Sequence, residues 1–235
     1  MTSVPSPYPV LSAGALVKTY GSAVALGGVD FRIAAGESVA IMGASGSGKT
    51  TLLHCLAGII KPDSGSVALT TVGGVVNVVA LGEKERSRLR RESFGFVFQQ
   101  GFLLPELTAV ENVALPLMLG GVTRTVAEQD AAGWLAALGL AGFETRRIGQ
   151  LSGGQAQRVA IARAQVTGAS VVFADEPTGA LDSTTSAEVM DALIGSTTGR
   201  GRSLVVVTHD ENVAARCSRV LQLADGRIVD EAVTA

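Results

Sequence analysis

Glycines at 43, 46 and 48, followed by Lys49 and Thr50, satisfy the spacing G-x-x-x-x-G-K-[ST] in the string GASGSGKT. The chemistry of that spacing is anion binding. Glycine permits the backbone dihedrals that turn successive N–H groups toward one point. A helix starting at the end of the loop adds its positive N-terminus. The product is a concave site suited to a β-phosphate. Lys49 is placed to span the β- and γ-phosphates, and the Thr50 hydroxyl to ligate Mg²⁺. Gly43, Ala44, Ser45, Gly46, Ser47, Gly48, Lys49, Thr50 and Thr51 are therefore the expected nucleotide contacts.

Two further groups stand where they can act on a bound phosphate. Ser170–Ala174 (SVVFA) reads as a buried strand delivering Asp175 and Glu176 at its C-terminal end, where open parallel sheets bind ligands. Asp175 is placed to hold Mg²⁺ through water, and Glu176 to polarise an attacking water. Most Asp-Glu pairs are solvated loop acids; the apolar strand before this one and Pro177 after it favour the functional reading. Ser203–Val207 (SLVVV) is a third apolar strand and ends in Thr208-His209. A histidine there can contact a γ-phosphate. The other histidine, His54, falls inside the helix expected after the phosphate loop and takes a structural role.

These elements need a scaffold. Ser38–Met42 supplies the strand before the loop, and Thr51–Gly58 the helix after it. Leu16–Val79 is strand-rich, with a hairpin expected over Ser66–Val79 through Gly73-Gly74. From Gly101 to Gln150 the pattern turns helical, and Thr125–Leu138 spaces its apolar residues near 3.6. After Gly153 helix and strand alternate, which predicts a parallel sheet.

The string LSGGQ (Leu151–Gln155), running into the Arg/Ala-rich helix Gln157–Gln165, resembles the signature of ATP-binding cassette proteins. The resemblance covers roughly Gly14–Val229. It implies a phosphate-loop NTPase core of α/β class with a mainly parallel sheet. An antiparallel β subdomain and an inserted helical subdomain, about 101–152, complete that arrangement within one domain over 14–235. It also implies that Ser152, Gly153, Gly154 and Gln155 close over ATP held by a second subunit, either another copy or a close homologue. Tyr20 corresponds to the aromatic that stacks on adenine; a buried strand-end tyrosine is the plainer alternative. Gln99, after the strand-like FGFVF (Phe94–Phe98), corresponds to a glutamine that senses Mg²⁺ and couples to a membrane subunit. Ala180-Leu181-Asp182 corresponds to a loop that signals across the dimer. ATP and Mg²⁺ are the implied cofactors, with Glu176, His209 and Lys49 catalytic.

Gly95–Leu117, Asp175–Ser183 and Val206–Val229 resemble the macrolide-export and lipoprotein-release branch. Gly179 points the same way, since amino-acid importers more often carry serine there. Ala156 departs from that branch, which often has glutamine. The branch implies a separate integral membrane permease with few spans and a large extracytoplasmic domain. It also implies a location at the cytoplasmic face of the cell membrane, and export or mechanical coupling as the work done. An importer subunit stays open as an alternative, as do a regulatory relative that gates another enzyme and a cassette acting on nucleic acid or the ribosome. The last lacks its usual coiled-coil or zinc-bearing insertions here.

Composition agrees with a packed globular chain. The 235 residues are 47% hydrophobic and 17% charged, with a formal net charge of −2 that gives no basic field for nucleic acid. The one charge-rich run, Glu83–Glu92, mixes signs and reads as a solvated helix. No apolar run reaches the length of a bilayer crossing. Residues 1–13 read as a flexible, proline-bearing tail with no signal-peptide pattern. Cys55 and Cys217 lack metal spacing and suit a reducing compartment.

Overall fold

The computed structural model describes residues 9–234. In chain order the elements are β1 (Leu11–Tyr20), β2 (Ala23–Ile33), β3 (Ser38–Met42), α1 (Lys49–Leu56), β4 (Ser64–Thr71), β5 (Gly74–Asn77) and α2 (Glu83–Ser93). β6 (Phe94–Phe98), α3 (Ala109–Leu119), α4 (Arg124–Ala137), α5 (Gly153–Gln165) and β7 (Val171–Asp175) follow. The chain closes with α6 (Ser183–Thr197), β8 (Ser203–Val207), α7 (Glu211–Ala214), β9 (Arg219–Ala224) and β10 (Arg227–Val233).

The central sheet has six strands in the order β10-β9-β3-β8-β7-β6. All neighbours from β9 to β6 run parallel, and only β10 is antiparallel. Every residue of β3 and β8 is buried. Strands covered on both faces read as continuous apolar runs, which is why SVAIM and SLVVV stand out in the sequence. Their side chains alternate between two cores. Val39, Ile41, Phe173, Val205 and Val207 point into one core, shared with α1 and the antiparallel sheet. Ala40, Met42, Ala174, Leu204 and Val206 point into the other, under the helices. The second sheet, β2-β1-β4-β5, is antiparallel.

Helix starts carry the expected chemistry. The Thr108 hydroxyl accepts from the Glu111 amide at α3, Ser152 from the Gln155 amide at α5, and Asp182 from the Thr185 amide at α6. α2 buries no residue, and Glu83 pairs with Arg86 and Arg90 along it, as its mixed signs predict. In α4, Trp134 lies beneath the Arg200 guanidinium, 4.2 Å from ring centroid to Cζ, with Arg202 at 5.6 Å. That cation–π contact ties the helical segment to the end of α6.

One expectation fails in part. The tail expected over 1–13 is already strand at Leu11, because Leu11 and Ala13 are buried and pair with β2 and β4. Residues 1–8 lie outside the described residues. Within the stretch read as helical, α3 and α4 form, while the residues from Gly139 to Leu151 are turns with one short 3-10 segment.

Candidate functional site

The phosphate loop follows β3, Asp175-Glu176 follow β7, and His209 follows β8. Because these strands are parallel neighbours, all three segments emerge at one edge. They surround a cavity of about 820 Å³ lined by Tyr20, Ala23–Ala25, Gly43–Gly46, Gly48–Thr51, Asp175, Glu176, Val207 and His209.

The loop is shaped by glycines that nothing else can replace. Gly43 and Gly48 have φ of 153° and 104°; a Cβ added at Gly43 would run into the Leu223 carbonyl, and one at Gly48 into the Ala25 carbonyl. Gly48 is the N-cap of α1 and offers no side-chain cap, so the first amides of the helix stay free for a ligand. Ser47 Oγ is buried without a hydrogen-bond partner, a further unused polar atom in the loop. The Lys49 ammonium donates to the carbonyls of Gly43 (2.8 Å) and Ala44 (2.9 Å), which holds its charge at the loop mouth. These features together suit a phosphate chain.

Thr50 Oγ1 lies 3.4 and 3.5 Å from the two Asp175 carboxylate oxygens. Burial raises the Asp175 carboxyl above its usual range, opposed by the pull of His54, the Thr50 hydroxyl and Lys49. Hydroxyl and carboxylate oxygens are hard donors of the kind Mg²⁺ takes alongside phosphate and water. Among the described residues no group of three or more His, Cys, Asp or Glu forms a self-sufficient metal cage.

Glu176 adopts φ of +47°, a left-handed backbone that a non-glycine residue holds only when its surroundings impose it. Its amide donates to the Val207 carbonyl (2.9 Å). One carboxylate oxygen meets His209 Nδ1 at 2.8 Å, and the other accepts from the Thr208 hydroxyl at 3.4 Å. The carboxylate is thus fixed from two sides, and the His209 ring is largely exposed toward the opening.

Several expected residues do not line this cavity. Ser152 and Gly153 are exposed at the start of α5, with Gly153 beside Leu181, while Gly154 is buried against Thr185. Asp182 caps α6, accepting from the Thr185 amide (3.0 Å) and hydroxyl (2.7 Å), and these bonds hold its carboxyl below the usual range. Gln99 sits against Gly179, where a Cβ would approach its Nε2 to 2.9 Å. Tyr20 does reach the cavity rim and is 50% exposed.

Other contributors were not foreseen. Thr208 supports Glu176, and its place directly before His209 was an available signal. Asp63 accepts from Lys18 Nζ, the Thr19 amide and the Thr19 hydroxyl at 2.7–2.8 Å, which fixes the end of β1 that bears Tyr20. Ala23–Ala25 form an apolar wall with no distinguishing residue type. His54, half-buried on α1, feels the Asp175 charge, while burial lowers its pKa.

Comparison with known proteins agrees with this geometry. The profile of the family described as ABC transporter matches residues 26–179. The chain is 46% identical over 218 residues to the lipoprotein-releasing system ATP-binding protein LolD of Geobacter metallireducens, covering 91% of this chain and 95% of that protein. It is 44% identical over 231 residues to the macrolide export ATP-binding/permease protein MacB of Nitrosomonas europaea. That alignment covers 96% of this chain and 34% of the relative, so the chain spans about a third of its length. Among solved structures, the dimeric post-hydrolysis state of the ATP-binding cassette MJ0796 bound to ADP and Pi matches with a TM-score of 0.85. Identity to it is 39%, over 96% of this chain and 99% of that one. Similarity of this depth runs through the phosphate loop and along nearly the whole sequence, and the chain belongs to the ABC transporter family.

Proposed function

We propose that this chain works as one half of an ATP-sandwich dimer and drives a separate membrane permease, in export or in mechanical coupling across the bilayer. The observation that carries the reading is the separation of two anion sites on one chain. The cavity gathers the phosphate loop, Asp175, Glu176 and His209 but none of Ser152–Gln155. The amides at the exposed start of α5 therefore have no phosphate of their own chain to meet. A second copy, or a close homologue, supplies it, as the dimeric MJ0796 cassette suggests.

In this reading the loop amides and Lys49 hold the β- and γ-phosphates, and Tyr20 stacks on the base. Thr50 and Asp175 are the residues that would hold Mg²⁺; Gln99, expected to join them, packs against Gly179 outside the cavity and would have to turn inward to do so. When bound, the ion neutralises charge that develops on the phosphate oxygens. Glu176 takes a proton from a water aimed at the γ-phosphorus, and the bond to the β-phosphate oxygen breaks to leave ADP and phosphate. His209 keeps the Glu176 carboxylate turned toward that water and contacts the γ-phosphate.

The permease docks in the second cavity, about 580 Å³, lined by Phe94, Phe98, Phe102, Leu115, Pro116 and Leu119 together with Arg90, Arg91 and Arg163. Among the described residues no helix is long and apolar enough to cross a membrane. The names of the relatives, a lipoprotein-releasing system ATP-binding protein and a macrolide export ATP-binding/permease protein, support a membrane permease as partner. Its few spans and large extracytoplasmic domain, and a working position at the cytoplasmic face, rest on the branch resemblance.

Light scattering of the Glu176→Gln variant tests the dimer. With saturating ATP and magnesium its mass doubles, and it returns to the monomer mass when ATP is omitted. A monomer under both conditions overturns the sandwich. Affinity capture from detergent-solubilised membranes tests the permease, and recovery of a many-spanning permease with a binding protein would move the reading to import.

A further inference from the structure

Arg163, near the end of α5, is a guanidinium without an acid. It donates to the carbonyls of Gly101 (2.5 Å) and Phe102 (2.6 Å). Burial pushes its pKa down, and no carboxylate among the described residues offsets that cost. A charge desolvated only to bind two carbonyls points to a demand in the loop it binds.

That loop is strained. Gly101 and Phe102 are successive left-handed residues, with φ of 67° and 46°. Glycine accepts this conformation freely, whereas phenylalanine does so only under constraint. The Phe102 ring is 63% exposed and touches Phe98 edge-on at 5.1 Å, so packing alone restrains it weakly. The other end of the loop is tied to the same helix, because Gln157 Nε2 donates to the Phe98 carbonyl at 3.1 Å. Gly95 lets α5 come that close; a Cβ there would run into the Ala164 carbonyl.

Between these ties stands Gln99, packed against Gly179. The Gly179 amide in turn donates to the Glu176 carbonyl at 3.2 Å. One helix thus begins at Ser152 and, through Gln157 and Arg163, grips the loop whose glutamine abuts the Glu176 segment.

We infer that Arg163, assisted by Gln157, is a positioning residue for hydrolysis. It clamps the strained 99–102 loop to α5, so that Gln99 is held against the segment bearing Glu176 and moves together with Ser152. The inference rests on the ATPase reading above. It assigns no contact between Arg163 and nucleotide.

The test uses the full chain with Arg163→Met, which keeps the volume and removes the donors, and Arg163→Lys, which keeps one point charge in place of the planar fork. Steady-state hydrolysis is measured against ATP at fixed magnesium, with amide hydrogen exchange over residues 99–104. For Arg163→Met, kcat falls about tenfold, the scale of one lost charge-assisted contact. KM for ATP stays within about twofold, because the phosphate loop is untouched. Exchange quickens at 99–104 and not at 43–51, and Arg163→Lys recovers part of both effects. Gln157→Leu moves kcat and exchange the same way by a smaller factor, and serves if Arg163→Met does not fold. Unchanged kcat and exchange overturn the clamp. So does a joint change of kcat and KM with exchange raised throughout, which marks a merely structural arginine. Exchange needs no turnover, so local quickening in a chain whose unsubstituted form does not hydrolyse ATP upholds the clamp and refutes the ATPase reading instead.

Discussion

Glu176 and His209 leave adjacent parallel strands and meet at 2.8 Å, with the glutamate backbone in a left-handed conformation at φ of +47°. The histidine holds the carboxylate in one direction, and the Thr208 hydroxyl holds its second oxygen. The pair acts as a unit, which bears directly on how its variants behave.

Glu176→Gln is expected to lower kcat about 10³-fold and His209→Ala about 10²-fold, the usual range for a lost proton acceptor and its orienting partner. The double variant loses less than the two single losses combined, since the histidine acts partly through the glutamate and partly by its own contact with the γ-phosphate. Single-turnover hydrolysis in all four proteins checks this. Additive losses would mean that His209 acts on phosphate independently.

Gly48→Ala puts a methyl group against the Ala25 carbonyl at a residue with φ of 104°. Stability is expected to fall by about 2 kcal/mol, within the range for strain at special dihedrals. ATP affinity falls at least about tenfold, because the free amides at the start of α1 are displaced. Denaturant titration and fluorescent-nucleotide binding measure the two effects separately.

Acid should destabilise the fold through two named carboxylates. Hydrogen bonds from Lys18 and Thr19 hold Asp63 at about 2, against an ordinary 3.8, and those from Arg90 and Arg86 hold Glu83 at about 2, against 4.5. Because the folded values are depressed, their contribution is fully present above the ordinary range and is lost as pH falls from about 4.5 through about 2. Both groups are exposed, so solvent and salt screen the effect. Melting temperatures followed from pH 5 to pH 2 are expected to drop less steeply for Asp63→Asn and Glu83→Gln than for the unsubstituted chain.

Chelating divalent metal is expected to stop hydrolysis while leaving measurable ATP binding, because Lys49 and the loop amides do not need the ion. Asp175→Asn is expected to raise the magnesium concentration for half-maximal rate about tenfold, the lower end for a residue acting through bound water. Hydrolysis assays across a magnesium titration check both. A turnover rate indifferent to chelator would remove Thr50 and Asp175 from the metal role.

Much of this arrangement was legible because it is local. SVAIM and SLVVV occupy the strands read for them, since a strand buried on both faces leaves an uninterrupted apolar run. The phosphate loop, the acidic pair and His209 were readable from residue types next to such runs. What escaped is long-range. Leu11 and Ala13 looked like part of a tail beside the prolines, and only pairing with β2 and β4 makes them strand. Asp63 supports Tyr20 from more than forty residues away through a backbone amide. Arg163 read as one more base on a helix, because its partners are carbonyls, which every residue has and no sequence motif records. That Ser152 and Gly153 lie apart from their own chain's cavity came from family resemblance, since spacing alone does not say which way a helix start faces.

The chain contains one tryptophan, and the fold puts it at the joint between α4 and the Arg200–Arg202 end of the core. Indole emission responds to a cation stacked over the ring and to entry of water. The molecule therefore carries its own optical gauge at the seam where the helical segment meets the sheet. Opening or tightening of that seam during a nucleotide cycle becomes readable in unlabelled protein, on the timescale of a stopped-flow mixing experiment.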